Sequence, residues 1–517
     1  MLAGMSYDAL VVGSGPNGLT AAIALAERGK RVLVLEACER AGGAVATEEL
    51  TLPGFRHDPF SAVYPAGAAS PVFARMPLAE HGLRWVHPPV CLAHPLPDGE
   101  AVALYRDLDE TVASLEALTP GDGERWRRFA RPYLDHFDEL RATMLAGFPP
   151  LRGPARLTLG IGPLGMARFT QLLFSSARTL GERLFAGEGP RGWLYGSAMH
   201  SDVPPSGRGS AIAAAYLTLL GHGAGWPSPE GGAGSLARAL LSYLAALGGE
   251  VRTGARVTRI AAARGRVAGV ELAGGERLSA PLVIADVMPD ALARLAGEVL
   301  PGRYARALGR YKYGPATLKV DWALSGPIPW SAPAARAAGT VHLGGPACEI
   351  LRTTTLMKDG LPGRPFMLLG QQSLADPTRA PAGKHTAWAY THGPPDLDWT
   401  TQSERHVERM EAHVELYAPG FRDLILARHV LGPGELEARN ANLVHGDVGG
   451  GSYVLSQVLF RPVRSPMPYR TPLRGCYIAS AAAFPGGAVH GVPGHAAARL
   501  ALAQSRLWGR ARASAGT

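Results

Sequence analysis

Tyr7-Asp-Ala-Leu-Val-Val-Gly-Ser-Gly-Pro-Asn-Gly18 decides the fold of this chain. A short apolar strand, Ala9 to Val12, runs into Gly13-x-Gly15-x-x-Gly18. A helix is expected from Pro16 or Asn17 to Arg28, closed by Gly29. A second apolar strand, Arg31 to Leu35, ends in the acid Glu36. Strand, glycine turn, helix, strand and acid in that order describe a dinucleotide-binding βαβ unit. Gly13 permits the tight turn, Gly15 lets a pyrophosphate approach the backbone, and Gly18 lets helix and strand pack closely. Ser14, Pro16 and Asn17 complete the turn and start the helix, whose free N–H groups and positive dipole end face the phosphates. Glu36 lies where a carboxylate accepts hydrogen bonds from a ribose diol, and an acid there disfavours the 2′-phosphate of NADP.

Length and composition bound the rest. A chain of 517 residues exceeds one ordinary core, so two or three domains are expected. The net charge of +9 is carried almost wholly by arginine, the lysines being Lys30, Lys312, Lys319, Lys358 and Lys384. The arginines are scattered and not interleaved with aromatics, which argues against nucleic acid as a partner. An anionic membrane surface, an acidic substrate and an arginine-biased background all remain compatible with the charge. The four cysteines (Cys38, Cys91, Cys348, Cys476) form no Cys-x-x-Cys pair. That fits a reducing compartment and argues against dithiol redox chemistry of the disulfide reductase type. The first apolar run belongs to the βαβ unit and lacks the basic start and cleavage site of a signal peptide. No apolar stretch reaches about twenty residues, so no membrane span is expected. A cytoplasmic location follows, with peripheral contact at the inner face of the membrane as the open alternative.

The block after Glu36 is Ala37-Cys-Glu-Arg40-Ala-Gly42-Gly43-Ala44-Val-Ala-Thr47. A Gly-Gly pair just past the acidic strand end lets the backbone pass close to a ligand. Together with Gly13, Gly15, Gly18 and Glu36, and continued by Pro53-Gly54-Phe55-x-x-Asp58 and Trp226-Pro-x-x-x-Gly231-Gly232, this block resembles the FAD-binding signature of the amine oxidase and phytoene desaturase superfamily. The C-terminal run Pro485-Gly486-Gly487 and Val489-His-Gly491-Val492-Pro-Gly494, opening an Ala-rich helix, resembles the final motif of that superfamily. One departure is Ser480-Ala-Ala-Ala-Phe484, where many desaturases carry Gly-x-Gly-Thr-His. FAD binding through the backbone should survive this change, while substrate chemistry on that face transfers less directly.

The resemblance implies an α/β fold. A Rossmann-type, glutathione reductase-like FAD-binding domain is expected from 1–60, 226–290 and 445–510. An inserted α+β substrate domain is expected from 61–225 and 291–444. It implies FAD contacts from Gly13, Ser14, Gly15, Pro16, Asn17, Gly18, Glu36, Ala37, Arg40, Gly42, Gly43 and Ala44. Later in the chain it implies contacts from Val257, Gly487, Gly491 and Val492, the backbone at Val257 meeting the adenine. Val251 to Ile260 reads as one strand, then 266–272 as the next arm of a β-meander, then Leu282 to Asp286 as a buried parallel strand. Period-2 stretches at Ala316–Ala323, Thr340–Leu343, Phe366–Gln371 and His385–Tyr390 read as an antiparallel sheet roofing the flavin. Trp388 and Tyr390 share one face of the last strand.

The implied function is FAD-dependent dehydrogenation of a C–C unit in a hydrophobic, carotenoid-like substrate, with oxygen or a quinone as electron acceptor. A ketolase of the same group, a flavin-dependent isomerase, an amine oxidase and a non-enzymatic FAD-bound binding protein are the rivals. No residue is assigned as the catalytic base. His490, His200-Ser201-Asp202, His57-Asp58 and Lys319 are the candidates, each with a structural role as the alternative. No histidine pair has zinc-site spacing, and no metal is expected. Arg152 to Phe185 alternates Arg156, Arg168, Arg178 and Arg183 with apolar residues, and reads either as an interfacial segment or as a surface helix pair.

Overall fold

The computed structural model describes residues 7–514, with side chains described through residue 504. The chain opens with β1 (Ala9–Val12), the Pro16–Ala26 helix and β2 (Val32–Leu35). It then makes a long excursion through β3 (Trp85–Val86), β4 (Val90–Pro95) and β5 (Ala101–Leu104). The helices of this excursion include Arg152–Leu172, Ala177–Leu184, Glu188–Ala198 and Ser210–Gly223. The chain returns through β6 (Ser228–Pro229), the Gly234–Ala246 helix and β7 (Glu250–Arg252). Next come β8 (Val257–Ala263), β9 (Arg266–Leu272), β10 (Arg277–Ser279) and β11 (Val283–Ala285). A second excursion supplies β12 (Ala316–Leu324), β13 (Ala338–Leu343), β14 (Met367–Gly370) and β15 (His385–Gly393). The Trp399–Tyr417 helix and β16 (Ile425–Leu431) complete it. Finally β17 (Cys476–Ile478) leads to the Val492–Ser514 helix.

Two sheets position the site. The first has order β17-β11-β1-β2-β7, every pair parallel. Strands β1, β2, β11 and β17 are buried on both faces, as parallel strands covered on both sides must be, while the edge strand β7 is partly exposed. Ala9 and Val11 face the core shared with the Pro16–Ala26 helix, while Leu10 and Val12 face the core shared with the β8-β9-β10 meander. The second sheet has order β16-β12-β15-β14-β13-β4-β5 and is antiparallel except for the β13–β4 pair. One of its faces carries Leu318, Val320, Trp322, Ala387 and Ala389 against Val407, Met410 and Val414 of the Trp399–Tyr417 helix.

The expected single strand over Val251–Ile260 is two strands, β7 and β8. Gly254, at φ +60°, turns the chain between them so that the amides of Gly254 and Ala255 bond back to Cys38 and Glu36, at 3.0 and 2.7 Å. The break thus locks the entrance of the meander onto the end of β2. The apolar stretch at 210–220 forms a buried helix that runs on to Gly223. Among the described residues no helix is long and apolar enough to cross a membrane.

Candidate functional site

The glycine turn is shaped so that side chains have no room. Gly13 sits at φ +96°, and a Cβ on Gly18 would lie 2.1 Å from the Gly13 carbonyl. Gly15 is the N-cap of the Pro16–Ala26 helix, which has no side-chain cap and no acid in its first turn. The helix dipole at this end favours an anion, and one of the first-turn amides, that of Gly18, already donates to the Asp286 carboxylate at 2.8 Å. The Gly42-Gly43 loop closes on this turn, since a Cβ on Gly43 would stand 2.9 Å from the Gly15 Cα. Ser14 links the parts: its amide donates to Glu36 Oε2 at 2.9 Å, and its Oγ accepts from the Gly42 amide at 3.1 Å. Glu36 is buried at the end of β2 and also accepts from the Cys38 amide at 2.9 Å.

The C-terminal motif reaches the same place. The Val492–Ser514 helix packs its first turn on that of the Pro16–Ala26 helix, where a Cβ on Gly494 would meet the Asn17 carbonyl at 1.9 Å. The loop before it is strained: Ala488 and Val489 hold φ of +86° and +51°, outside the range that side chains prefer. A buried arginine keeps the loop's support in place. Arg461 bonds the carbonyls of Gly450 and Ala481 and the Tyr311 hydroxyl, and lies 4.7 Å above the Tyr453 ring. Tyr453 in turn accepts from the Gly487 amide at 2.8 Å.

These observations test whether the residues fit FAD. A backbone cradle that a Cβ would fill, two helix N-termini that meet, and a buried acid at the end of β2 suit a pyrophosphate and a ribose diol. Glu36 would hold ribose hydroxyls, and the turn from Gly13 to Gly18 would hold phosphates. Ala37 is exposed beside Glu36, and Ala44 supplies the carbonyl that Ser61 Oγ bonds at 3.0 Å. Arg40 is exposed and pairs with Glu48 at 2.5 Å. Val257 starts β8, two residues past the amide that bonds Glu36.

Three important residues were not singled out in the sequence. Asp286 ends β11 as Glu36 ends β2, and its Oδ2 accepts from the Gly18 amide at 2.8 Å. Burial, and Glu36 nearby, push its pKa up to about 7 although the Gly18 amide opposes the shift. An acid ending a buried strand was the available signal. Arg379 reaches Asp58 at 2.6 Å, and the other Asp58 oxygen accepts from Thr47 Oγ1 at 2.7 Å and the Ala233 amide at 2.9 Å. Asp58 thus clasps three of the motif blocks, the loop-supporting role that was its alternative. Asp321 bonds Lys319 and lies 3.5 Å from the His57 ring.

The second face of the seven-stranded sheet carries buried polar groups. His342, Leu368, Tyr390 and Lys319 stand in register across β13, β14, β15 and β12. Thr340, Gly370, Trp388 and Asp321 form the next row. Trp388 and Tyr390 stack within 6° of parallel, and Lys319 Nζ lies 5.7 Å from the Trp388 ring centre. His200 comes from the end of the Glu188–Ala198 helix, its Nε2 2.9 Å from that of His342. Burial lowers the pKa of His200 to about 3 and those of His94 and His392 to about 4, so all are neutral at pH 7. Burial lowers Lys319 as well, with Asp321 opposing the shift. His490 is buried, its Nδ1 accepting the Val492 amide at 3.2 Å, and Asp202 binds the Tyr453 amide at 2.7 Å; both support loops. Among the described residues no group of His, Cys, Asp or Glu is placed to hold a metal ion.

Comparison with known proteins agrees with this geometry. The family of flavin-containing amine oxidoreductases matches residues 17–499. The chain is similar to pyridine nucleotide-disulfide oxidoreductase domain-containing protein 2 of Rattus norvegicus, 28% identical over 557 residues, covering 96% of this chain and 93% of the relative. It is also similar to the lycopene-forming phytoene desaturase of a Paracoccus species, 24% identical over 520 residues, covering 96% and 97%. In fold it is similar to an oxidoreductase from Methanosarcina mazei, with a TM-score of 0.64 at 17% identity over 95% of this chain and 99% of that one.

Proposed function

The chain belongs to the flavin-containing amine oxidoreductase family and is an FAD-dependent oxidoreductase, and on that premise we propose that it dehydrogenates a C–C unit of a hydrophobic, isoprenoid-like substrate. The observation that carries this reading is the face of the roof. Its aromatic pair, Trp388 and Tyr390, stands among neutral histidines, and its charged groups are paired, Lys319 with Asp321 and the nearby Arg379 with Asp58. A buried surface of that kind favours an apolar guest, because an unpaired charge would go unsolvated there. The phytoene desaturase relative supports the same substrate class.

Bound FAD supplies the acceptor for a hydride. The substrate gives up that hydride from one carbon and a proton from its neighbour, leaving a double bond. Oxygen or a quinone takes up the two electrons between turnovers. The chain's own task is to hold the cofactor by the turn from Gly13 to Gly18, Glu36 and the Gly487–Val492 loop, and to keep water from the reacting carbons with the roof sheet. The disulfide chemistry in the name of the rat relative has no Cys-x-x-Cys motif here, the four cysteines being Cys38, Cys91, Cys348 and Cys476.

The same reading includes contact with a membrane. The Arg152–Leu172 helix kinks at Gly162. With its flanks it exposes Leu151, Leu159, Leu164 and Phe174, Leu159 to 87%, among Arg152, Arg156 and Arg168. An apolar surface rimmed by arginine suits an anionic bilayer through which a lipophilic substrate arrives. Liposome flotation of the protein with Leu159→Glu and Phe174→Glu should then fall sharply, and unchanged flotation would reject the contact.

Anaerobic mixing of the holoenzyme with liposomal phytoene and with putrescine tests the activity. Loss of the oxidised-flavin absorbance with phytoene, together with a more conjugated product, is expected. A ketone product, an isomer shift without bleaching, bleaching by putrescine alone, or no response to either would overturn the reading. These outcomes would indicate a ketolase, an isomerase, an amine oxidase and a binding protein respectively.

A further inference from the structure

A cavity lies away from the glycine turn, at the β17 edge of the parallel sheet. It is a cleft of about 710 Å³ between the Gly302–Leu308 helix and the segment from Ser456 to Pro472. The strand order puts β11 and β17 between it and β1, so it does not belong to the cofactor crevice. Five cations line it: Arg303, Arg310, Lys312, Arg464 and Arg470. No aspartate or glutamate lines it. Among the described residues none of the five makes a salt bridge, and the residues outside the description contain no aspartate or glutamate. The nearby meander behaves differently. There Arg252, Arg259 and Arg277 pair with Glu276, Glu298 and Glu271.

Like charges around one cleft repel each other wherever they stand within the Debye length, about 8 Å at physiological salt. A ligand with two or more negative charges relieves that repulsion, and guanidinium groups match phosphate oxygens in pairs. Ser456, Gln457, Ser465 and Thr471 add neutral polar groups, and much of the remaining lining is apolar. Tyr304, Val463, Phe460 and Met467 contribute to the walls, and the last two are exposed. A ligand made only of charge would leave these walls uncovered. The volume falls within the range of about 300–1,000 Å³ typical of small-molecule pockets.

We propose that this cleft binds a phosphate or diphosphate ester that carries an apolar tail. Such a ligand would also touch the cofactor's supports. Lys312 and Gln457 line the cleft, and Gln457 bonds the Lys312 amide at 2.9 Å and the Ser452 carbonyl at 2.9 Å. Ser452 lies within the Gly449–Tyr453 stretch that backs the Gly487 loop. Occupancy of the cleft is therefore expected to steady that loop.

The test is calorimetric titration of the FAD-loaded protein with farnesyl diphosphate, inorganic pyrophosphate and farnesol at low salt. Saturable binding of farnesyl diphosphate is expected, about tenfold or more tighter than either fragment. The double variant Arg310→Gln/Arg464→Gln should weaken it by about a hundredfold, tenfold for each guanidinium lost. Both positions are exposed, so the variant should keep its flavin absorbance and melting temperature. Vesicles of phosphatidylcholine with phosphatidic acid separate the sources. Displacement of farnesyl diphosphate by them assigns the phosphate to a lipid headgroup, and no displacement assigns it to a free amphiphile. No saturable binding, equal affinity for pyrophosphate, or an unaffected double variant would overturn the proposal.

Discussion

The two sheets that frame the site are both buried, yet they treat polarity in opposite ways. The central strands β1, β2 and β11 of the parallel sheet carry only apolar side chains, and the sheet surrounds the glycine turn with main chain and two acids at strand ends, Glu36 and Asp286. The roof sheet is also buried along β12 from end to end, but it alternates. Leu318, Val320 and Trp322 point into one core, while Thr317, Lys319 and Asp321 lie on the other face. A buried polar face costs free energy unless its groups are paired. The difference implies a division of labour: cofactor binding is generic and carried by backbone, and substrate choice is carried by side chains.

The sharpest way to break that comparison is at Gly18. A Cβ there would lie 2.1 Å from the Gly13 carbonyl, which no flexible side chain can relieve. Gly18→Val should purify without yellow colour, with FAD affinity down by about a thousandfold or more, roughly 4 kcal/mol. The Asp58–Arg379 pair joins the two regions, so cutting it should cost stability in both. Arg379→Leu leaves a buried carboxylate without its cation and should lower unfolding free energy by about 3–5 kcal/mol in urea melts. The charge-removing double variant Asp58→Asn/Arg379→Leu should cost less than that single change.

The regions should also respond to pH with opposite signs. Asp286 has a folded pKa near 7, above its usual 3.8, so the folded state holds the extra proton between these values. Its stabilising contribution is present below about pH 4 and is lost as pH rises to 7. Asp286→Asn should therefore raise apoprotein stability by up to a few kcal/mol at pH 8 and change little at pH 4.5. The roof histidines have folded values of about 3 to 4 against the usual 6.5, so there the unfolded chain binds more protons. Their contribution is complete above pH 6.5 and is lost as pH falls toward 4. Substituting His200 with Phe should flatten the acid limb of the stability curve and leave the alkaline limb unchanged. A smaller effect is expected from Glu36→Gln, which keeps the shape but loses the charge. FAD should bind about tenfold more weakly by equilibrium titration.

How much of this was legible follows the same division. Most of the parallel sheet was readable because β1, β2 and β11 are continuous apolar runs and the turn needs glycine at fixed offsets, Gly13, Gly15 and Gly18, whereas its edge strand β7, Glu250-Val-Arg252, was read as part of the meander. The alternation in Ala316–Ala323 and His385–Tyr390 gave away the roof strands, and Trp388 and Tyr390 were correctly placed on one face. Long-range pairing was not legible. Nothing near Asp58 in the chain announces Arg379, 321 residues away, and nothing near His200 announces His342. The break at Gly254 was missed for a related reason, since it depends on carbonyls that Glu36 and Cys38 present from another strand. Asp286 was missed because the apolar run hid its last residue.

The division of labour is tested most directly by titrating apoprotein with FAD, comparing Gly18→Ala with Tyr390→Leu. Gly18→Ala should fail to saturate, while Tyr390→Leu should bind FAD within about threefold of the unchanged protein, under 1 kcal/mol. Equal loss of FAD binding in both variants, or tight binding by Gly18→Ala, would contradict the account.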